Sequence, residues 1–420
     1  MHRKAAFACL TAFALAASAL PAAAAATAAA DPAPAGTPAA TPVLPHPTGG
    51  FPIGVVDLHL VDRSRPDPWN PPQSYRELMV SIVYPARNVA GHARAPLMTR
   101  GVSDGFNALA APDDYGVPDG TTIDWSAIRT FEYEDAPAAG GRFPVVLYSP
   151  GVGDVRSWDS VLVDQLASEG YVVVTIDPTY EAAAVQFPAN AANPAGRVVP
   201  SNLMSWFQQA QQNGTVPQLL QQVVNTRVAD SKFVLDELDV LASGDNPDAE
   251  HRALPAGVAH ELDLDDVGMF GQSAGGFTAL ETMYEDPRIK AGIDMDGTLE
   301  FVAGTPNDTN FSPVAQHGLA KPFLLLGSQT SDACTPSTDP SCAAVLAHST
   351  GPHAALTLDD TVHGSFTDAE TIFPQLRGVV PDDVIQGDVG AADPREVVAE
   401  EDRLIARFFH RALHCRSGRS

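Results

Sequence analysis

A chain of 420 residues with 45% hydrophobic content has ample material for one large globular core or two smaller ones. Its 51 acidic residues against 25 basic ones, a formal charge of −26, argue against a nucleic-acid binder and against docking on anionic membrane surfaces. Lysine is confined to Lys4, Lys232, Lys290 and Lys321.

The N-terminus has the composition of a secretory signal. His2-Arg3-Lys4 is a short basic region, Ala5 to Leu20 is apolar, and Pro21 to Ala30 offers several A-x-A sites. With no stop-transfer pattern behind it, this predicts a signal peptide over residues 1–30, a secreted product and no transmembrane segment. Residues 31–50, mostly Pro, Ala, Thr and Gly, read as a disordered or extended leader. Residues 51–415 are expected to form a single domain. Cys9 leaves with the signal. Cys334 and Cys342 bracket a loop rich in Thr, Pro, Ser and Asp, which makes them a disulfide candidate in an oxidising compartment. Cys415 is left free or paired with one of them. C-x7-C without further ligands is structural rather than metal-binding, and no cofactor is expected.

Val55–Val61 and Glu77–Tyr84 alternate and read as outer strands. The segment Asn88–Gly141 is long, rich in Pro, Gly and Asp, and carries Phe106, Tyr115, Trp125, Phe131 and Tyr133. Loops of this length are commonly functional or hold small structure of their own. Pro144–Ser149 and Gly170–Ile176 are continuous apolar runs, the signature of parallel strands covered on both faces. Residues 182–225, low in complexity and then rich in glutamine, form a second insertion placed to serve as a lid. An amphipathic helix is predicted over Thr226–Leu241, and further strands over Ile289–Met295, Pro322–Leu326 and Ala354–Leu358. A last helix is predicted over Arg395–Leu413. Strands alternating with helices predict an α/β fold with a mostly parallel central sheet, flanked by helices and carrying two insertions.

One stretch gives the chemistry. Gly271-Gln272-Ser273-Ala274-Gly275-Gly276 follows the apolar run Val267–Phe270 and precedes a helix-like segment stopped by Pro287. G-x-S-x-G arises by chance in a chain this long with a probability on the order of a tenth. Its strand–turn–helix setting makes it a nucleophile elbow. Serine needs a base, and the base needs a carboxylate to orient it. In chain order the histidine comes last, and His363 sits just past the last short strand, where the sheet's carboxyl edge would place it. The acid is open between Asp296, at the end of the strand after the elbow, and Asp332, past the following strand. The oxyanion amides are expected from Ala274 and, in the glycine turn after Ser149, from Val152.

With these segments assembled, the chain resembles the platelet-activating-factor acetylhydrolase family of secreted or plasma type, which has the α/β-hydrolase fold. The likeness rests on Arg76–Val80 through Tyr84-Pro85-Ala86, on Phe143–Val146 through Ser149–Gly153, and on Arg227–Asp230. It also rests on the elbow, on Asp296-Gly297 and on His363–Asp368. It implies Ser273 as nucleophile, His363 as base, Asp296 rather than Asp332 as acid, amides of Val152 and Ala274 for the oxyanion, and no metal. Two departures stand out: Pro150 and Gln272 replace histidines common in relatives.

The expected function is a secreted serine carboxylic-ester hydrolase working through an acyl-enzyme, on short-acyl or phospholipid-type esters. The partner is a small-molecule, lipid or polymer ester, and the chain is expected to be monomeric. The rival readings are a lipase or cutinase-like polyester hydrolase, a serine peptidase, and a non-catalytic binding protein on the same fold.

Overall fold

The valine-rich runs of the sequence become the spine of a ten-stranded sheet. The computed structural model describes residues 41–302, 310–329, 335 and 337–413. The expected signal peptide, Asp332, Cys334 and Cys415 lie outside the described residues. In chain order the strands are β1 (Ile53–Asp62), β2 (Arg76–Pro85), β3 (Arg94–Pro96), β4 (Arg129–Glu134), β5 (Phe143–Ser149), β6 (Val172–Ile176), β7 (Ala184–Phe187), β8 (Arg197–Pro200), β9 (Leu262–Gln272), β10 (Ile289–Met295), β11 (Phe323–Gly327) and β12 (His353–Thr357). The sheet order is β12-β11-β10-β9-β5-β6-β2-β1-β4-β3, with β7 and β8 forming a separate hairpin. From β6 through β5 to β12 every pairing is parallel, whereas β2 runs antiparallel to both β1 and β6.

Alternate residues of the central strands feed two cores. Val145, Leu147, Val172 and Val174 face one layer, where the helices Val216–Ala242 and Ala274–Glu285 pack. Val146, Tyr148 and Val173 face the other, under the helices Ser160–Ser168 and Pro394–Ala412. Burial on both faces is why these strands read as unbroken apolar runs. The chain after β5 crosses to β6 on one side, and the chain after β9 crosses to β10 on the other. The carboxyl ends of β5 and β9 therefore flank a topological switch point, the usual place for a ligand crevice in an open α/β sheet.

Both insertions are structured. The first supplies β3, β4 and the helix Arg100–Ala108, and it buries Phe106, Tyr115 and Trp125 against Trp158 and Phe373. The second holds the β7–β8 hairpin and the helix Leu203–Asn213. The helix expected from Thr226 starts ten residues earlier, at Val216, with Pro217 in its first turn where a missing N–H is harmless. Residues 41–50, expected as leader, lie extended along the body. Val43 N–H donates to Gln375 Oε1 (2.9 Å), Thr48 N–H to Gln165 Oε1 (2.9 Å) and Gly49 N–H to Ser168 Oγ (3.0 Å), and Leu44 is buried. No described helix is long and apolar enough to cross a membrane.

Candidate active site

β9 delivers Ser273 into a backbone conformation that few residues adopt, φ 57° and ψ −124°. A non-glycine residue there is strained, and the surroundings over-determine it. Ser273 N–H donates to Met295 O (2.8 Å), and its carbonyl accepts the first helical bond, from Phe277 (3.1 Å). The flanking glycines follow from crowding. A Cβ on Gly275 would stand 1.8 Å from Ser149 O, and one on Gly271 would stand 2.4 Å from the same atom. Backbone atoms cannot give way, so the motif is a steric requirement for packing the elbow on β5.

Asp296 follows β10 directly, also in the left-handed region at φ 55°, which aspartate tolerates better than most residues. Ser328 holds its carboxylate: the Ser328 N–H donates to Oδ1 at 2.7 Å and the hydroxyl to Oδ2 at 3.2 Å. Oδ2 also accepts from His363 Nδ1 at 2.6 Å. His363 opens a short 3-10 turn after β12. Ser365 Oγ fixes that turn by accepting from Val362 N–H (3.1 Å) and donating to Val389 O (3.1 Å). With Nδ1 committed to Asp296, Nε2 is the basic nitrogen. Nε2 accepts from the side-chain amide of Gln272 at 3.0 Å. Among the described residues the Ser273 hydroxyl makes no hydrogen bond.

Ser273, His363, Gln272, Gly151 and Val152 line one small cavity of about 90 Å³, together with Asp114, Tyr115, Asp154, Gly364, Gly387 and Asp388. The main-chain N–H groups of Val152 and Ala274 donate to no described protein acceptor. Ala274 opens the elbow helix, whose N-terminal end favours negative charge. The Val152 loop is pinned from below by Arg227. Its buried guanidinium donates to Pro150 O, to Gly151 O (3.0 Å) and to Ser149 Oγ (3.2 Å), and it pairs with Glu181.

The acids around the cavity are shifted. Burial pushes Asp154 up to about 7, against the lowering effect of the Tyr115 hydroxyl and of His363 and Arg227. Burial alone pushes Asp388 up to about 8. Asp114 is held well above the usual carboxylate range by burial and by Asp154. Asp294, two residues before Asp296, is fully buried and also held well above it; it accepts from Gly297 N–H (3.0 Å). Among the described residues no group of His, Cys, Asp and Glu side chains could hold a metal ion.

The structure thus brings Ser273, Asp296, His363 and Val152 to one place, with Ala274 adjoining. Asp332 and Cys334 lie outside the described residues, and Cys342 is buried and disulfide-bonded. Sequence reasoning missed the role of Arg227, which it used only as part of a likeness, and the contact of Gln272 with His363. It also missed Asp154 and Tyr115. Asp154 carried a signal in its place after the glycine turn, and Tyr115 only the general one of an aromatic in the long Asn88–Gly141 segment.

The model of the family described as "Platelet-activating factor acetylhydrolase, isoform II" matches residues 128–415. Two curated proteins are similar over shorter stretches. A probable 1-alkyl-2-acetylglycerophosphocholine esterase from Arthroderma benhamiae is 30% identical over 156 residues, 37% of this chain and 32% of that protein. A platelet-activating factor acetylhydrolase from Cavia porcellus is 28% identical over 162 residues, 37% of this chain and 35% of that protein. The matches thus span about a third of the length of those relatives. Among solved structures, a ferulic acid esterase from Streptomyces cinnamoneus is similar with a TM-score of 0.69 and 29% identity, over 89% of this chain and 94% of that one.

Proposed function

We propose that this chain, which belongs to the platelet-activating factor acetylhydrolase, isoform II, family, is a serine carboxylic-ester hydrolase acting through an acyl-enzyme. The observation that carries the reading is the 2.6 Å bond from His363 Nδ1 to Asp296, which leaves Nε2 as the base in the cavity that Ser273 shares. Nε2 takes the Ser273 proton as Oγ attacks the ester carbonyl. The oxyanion forms against the amides of Val152 and Ala274, and the imidazolium returns its proton to the leaving alcohol. Water then repeats the cycle on the acyl-enzyme.

A cavity of about 90 Å³ has room for on the order of half a dozen water-sized groups. That favours short acyl groups, acetyl first, and supports acetylated phospholipid-type or simple short esters as the substrate class. The near full-length likeness to a ferulic acid esterase favours a second reading, hydrolysis of hydroxycinnamoyl esters. Secretion after loss of residues 1–30, and a Cys334–Cys342 disulfide, complete the proposal; the basic and apolar N-terminal regions support the first.

The test is labelling of the protein with a fluorophosphonate probe, alongside Ser273→Ala and His363→Ala, followed by a series of aryl esters from acetate to decanoate and by methyl ferulate. Labelling lost in Ser273→Ala, with turnover falling steeply beyond butyrate, is expected. A folded wild type that takes no label would end the reading, and turnover of methyl ferulate above that of aryl acetate would select the second.

A further inference from the structure

We propose that Gln272 is a positioning residue that withholds the base from Ser273 in the resting enzyme, a brake that incoming substrate releases. The inference rests on the serine-hydrolase reading above. Gln272 is the residue before the nucleophile and is 2% exposed. Its Nε2 faces two acceptors, His363 Nε2 at 3.0 Å and the His363 carbonyl oxygen at 3.3 Å. Turning the amide over would set oxygen against carbonyl oxygen, so the chemistry of its neighbours fixes which end is nitrogen. The other end, Oε1, lies over Gly151, 2.5 Å from where a Cβ on that residue would stand.

An imidazole nitrogen has one in-plane lone pair. With Nδ1–H on Asp296, the Nε2 lone pair is the one that must receive the Ser273 proton, and Gln272 occupies it. Two consequences follow. Donation into Nε2 stabilises the neutral ring, so the base stays unprotonated to lower pH than it otherwise would. It also competes with Ser273. When the Ser273 O–H bond breaks and the Nε2–H bond forms, two N–H groups face each other, so the Gln272 amide has to swing away.

Among the described residues, the other titratable groups that face His363 are Asp296, after β10, and Asp154, Asp114, Tyr115 and Asp388 around the cavity. All are common to the variants compared below, so differences between those variants isolate Gln272.

The experiment is the rate of fluorophosphonate labelling from pH 4 to 9 for wild type, Gln272→Met and Gln272→Glu, with thermal melts of each. In Gln272→Met the acid limb should move up by about half a unit to one unit, the equivalent of one net hydrogen bond. Its plateau rate should rise about three- to tenfold as Nε2 is freed. Gln272→Glu, nearly isosteric, should move the limb further up because a carboxylate favours the imidazolium. An unmoved limb in a folded variant, or a plateau that falls in Gln272→Met, overturns the proposal. If Gln272→Met does not fold, Gln272→Leu, which also removes the donor without adding charge, takes its place. A folded wild type without label overturns the underlying reading and this proposal together, whereas a labelled wild type with unmoved variant limbs overturns only the brake.

Discussion

The Arg227 guanidinium reaches Gly151 from beneath, donating from Nη2 to its carbonyl oxygen at 3.0 Å, and also takes the carbonyl of Pro150. A peptide whose carbonyl is held inward presents the following N–H outward. Arg227 therefore aims the Val152 amide at the cavity without touching it.

Replacing Arg227 by Ala removes these bonds and leaves Glu181 without its cation. Burial already raises the Glu181 pKa, with Arg227 opposing it, and one Glu181 oxygen has no hydrogen bond. Breaking a buried pair typically costs about 3–5 kcal/mol, so urea unfolding should show a loss of that order. Arg227→Lys keeps the charge but not the fork that spans two carbonyls, so turnover should fall tenfold or more with a smaller loss of stability. Equal turnover in Arg227→Lys and wild type would remove the loop-aiming role.

The carboxylate of the proposed triad is tested by charge alone. Asp296→Asn keeps the shape but sets an amide or a neutral oxygen against His363 Nδ1, which favours the wrong tautomer. Turnover should fall about 10⁴-fold, the scale known for that change in a trypsin-like triad, and Asp332→Asn should stay within about twofold of wild type. The reverse ranking in steady-state assays would transfer the role to Asp332.

The central strands and the elbow were legible because their causes are local. Burial on two faces writes apolar runs, and contact with β5 demands glycine on both sides of Ser273. β4 was not legible because its pattern is inverted. Thr130 and Glu132 point inward and are buried, while Phe131 and Tyr133 are only half-buried. Phe131 is covered by Arg94, 4.1 Å from the ring, and by His46. No alternation rule finds a strand whose apolar side is roofed by a cation and a leader residue. The contact between Gln272 and His363 joins positions 91 residues apart, a juxtaposition that only the assembled sheet creates.

Stability should depend on pH in the direction set by buried acids. Burial raises Asp154 and Asp368 to about 7, and Glu370 and Asp388 to about 8. Groups raised in the fold contribute stability that is whole below their unfolded values, near 4, and is lost as pH climbs through 7 to 8. Asp230 is lowered: burial opposes its charge, but Arg76 and Arg65 prevail, so its contribution is lost as pH falls below about 4. Melting temperature should therefore peak near pH 4, fall steadily as pH rises toward 7 to 8, and lie several degrees lower at pH 8.5. A curve still rising at pH 8.5 would contradict the assignment.

Gly387 tests the size of the proposed acyl pocket without touching Ser273, Asp296 or His363. It lies inside the helix Asp382–Val389 and lines the cavity, and a Cβ built on it meets nothing within 4 Å. Alanine there improves helix propensity by up to about 1 kcal/mol, so the melting temperature should hold or rise. The added methyl narrows a cavity of about 90 Å³ and should cost longer acyl groups more than acetyl. In a kcat/KM series, Gly387→Ala should leave aryl acetate within about twofold and reduce butyrate or hexanoate about tenfold, the scale of a methylene-sized misfit in an apolar pocket. A uniform change across the series would place the acyl chain elsewhere.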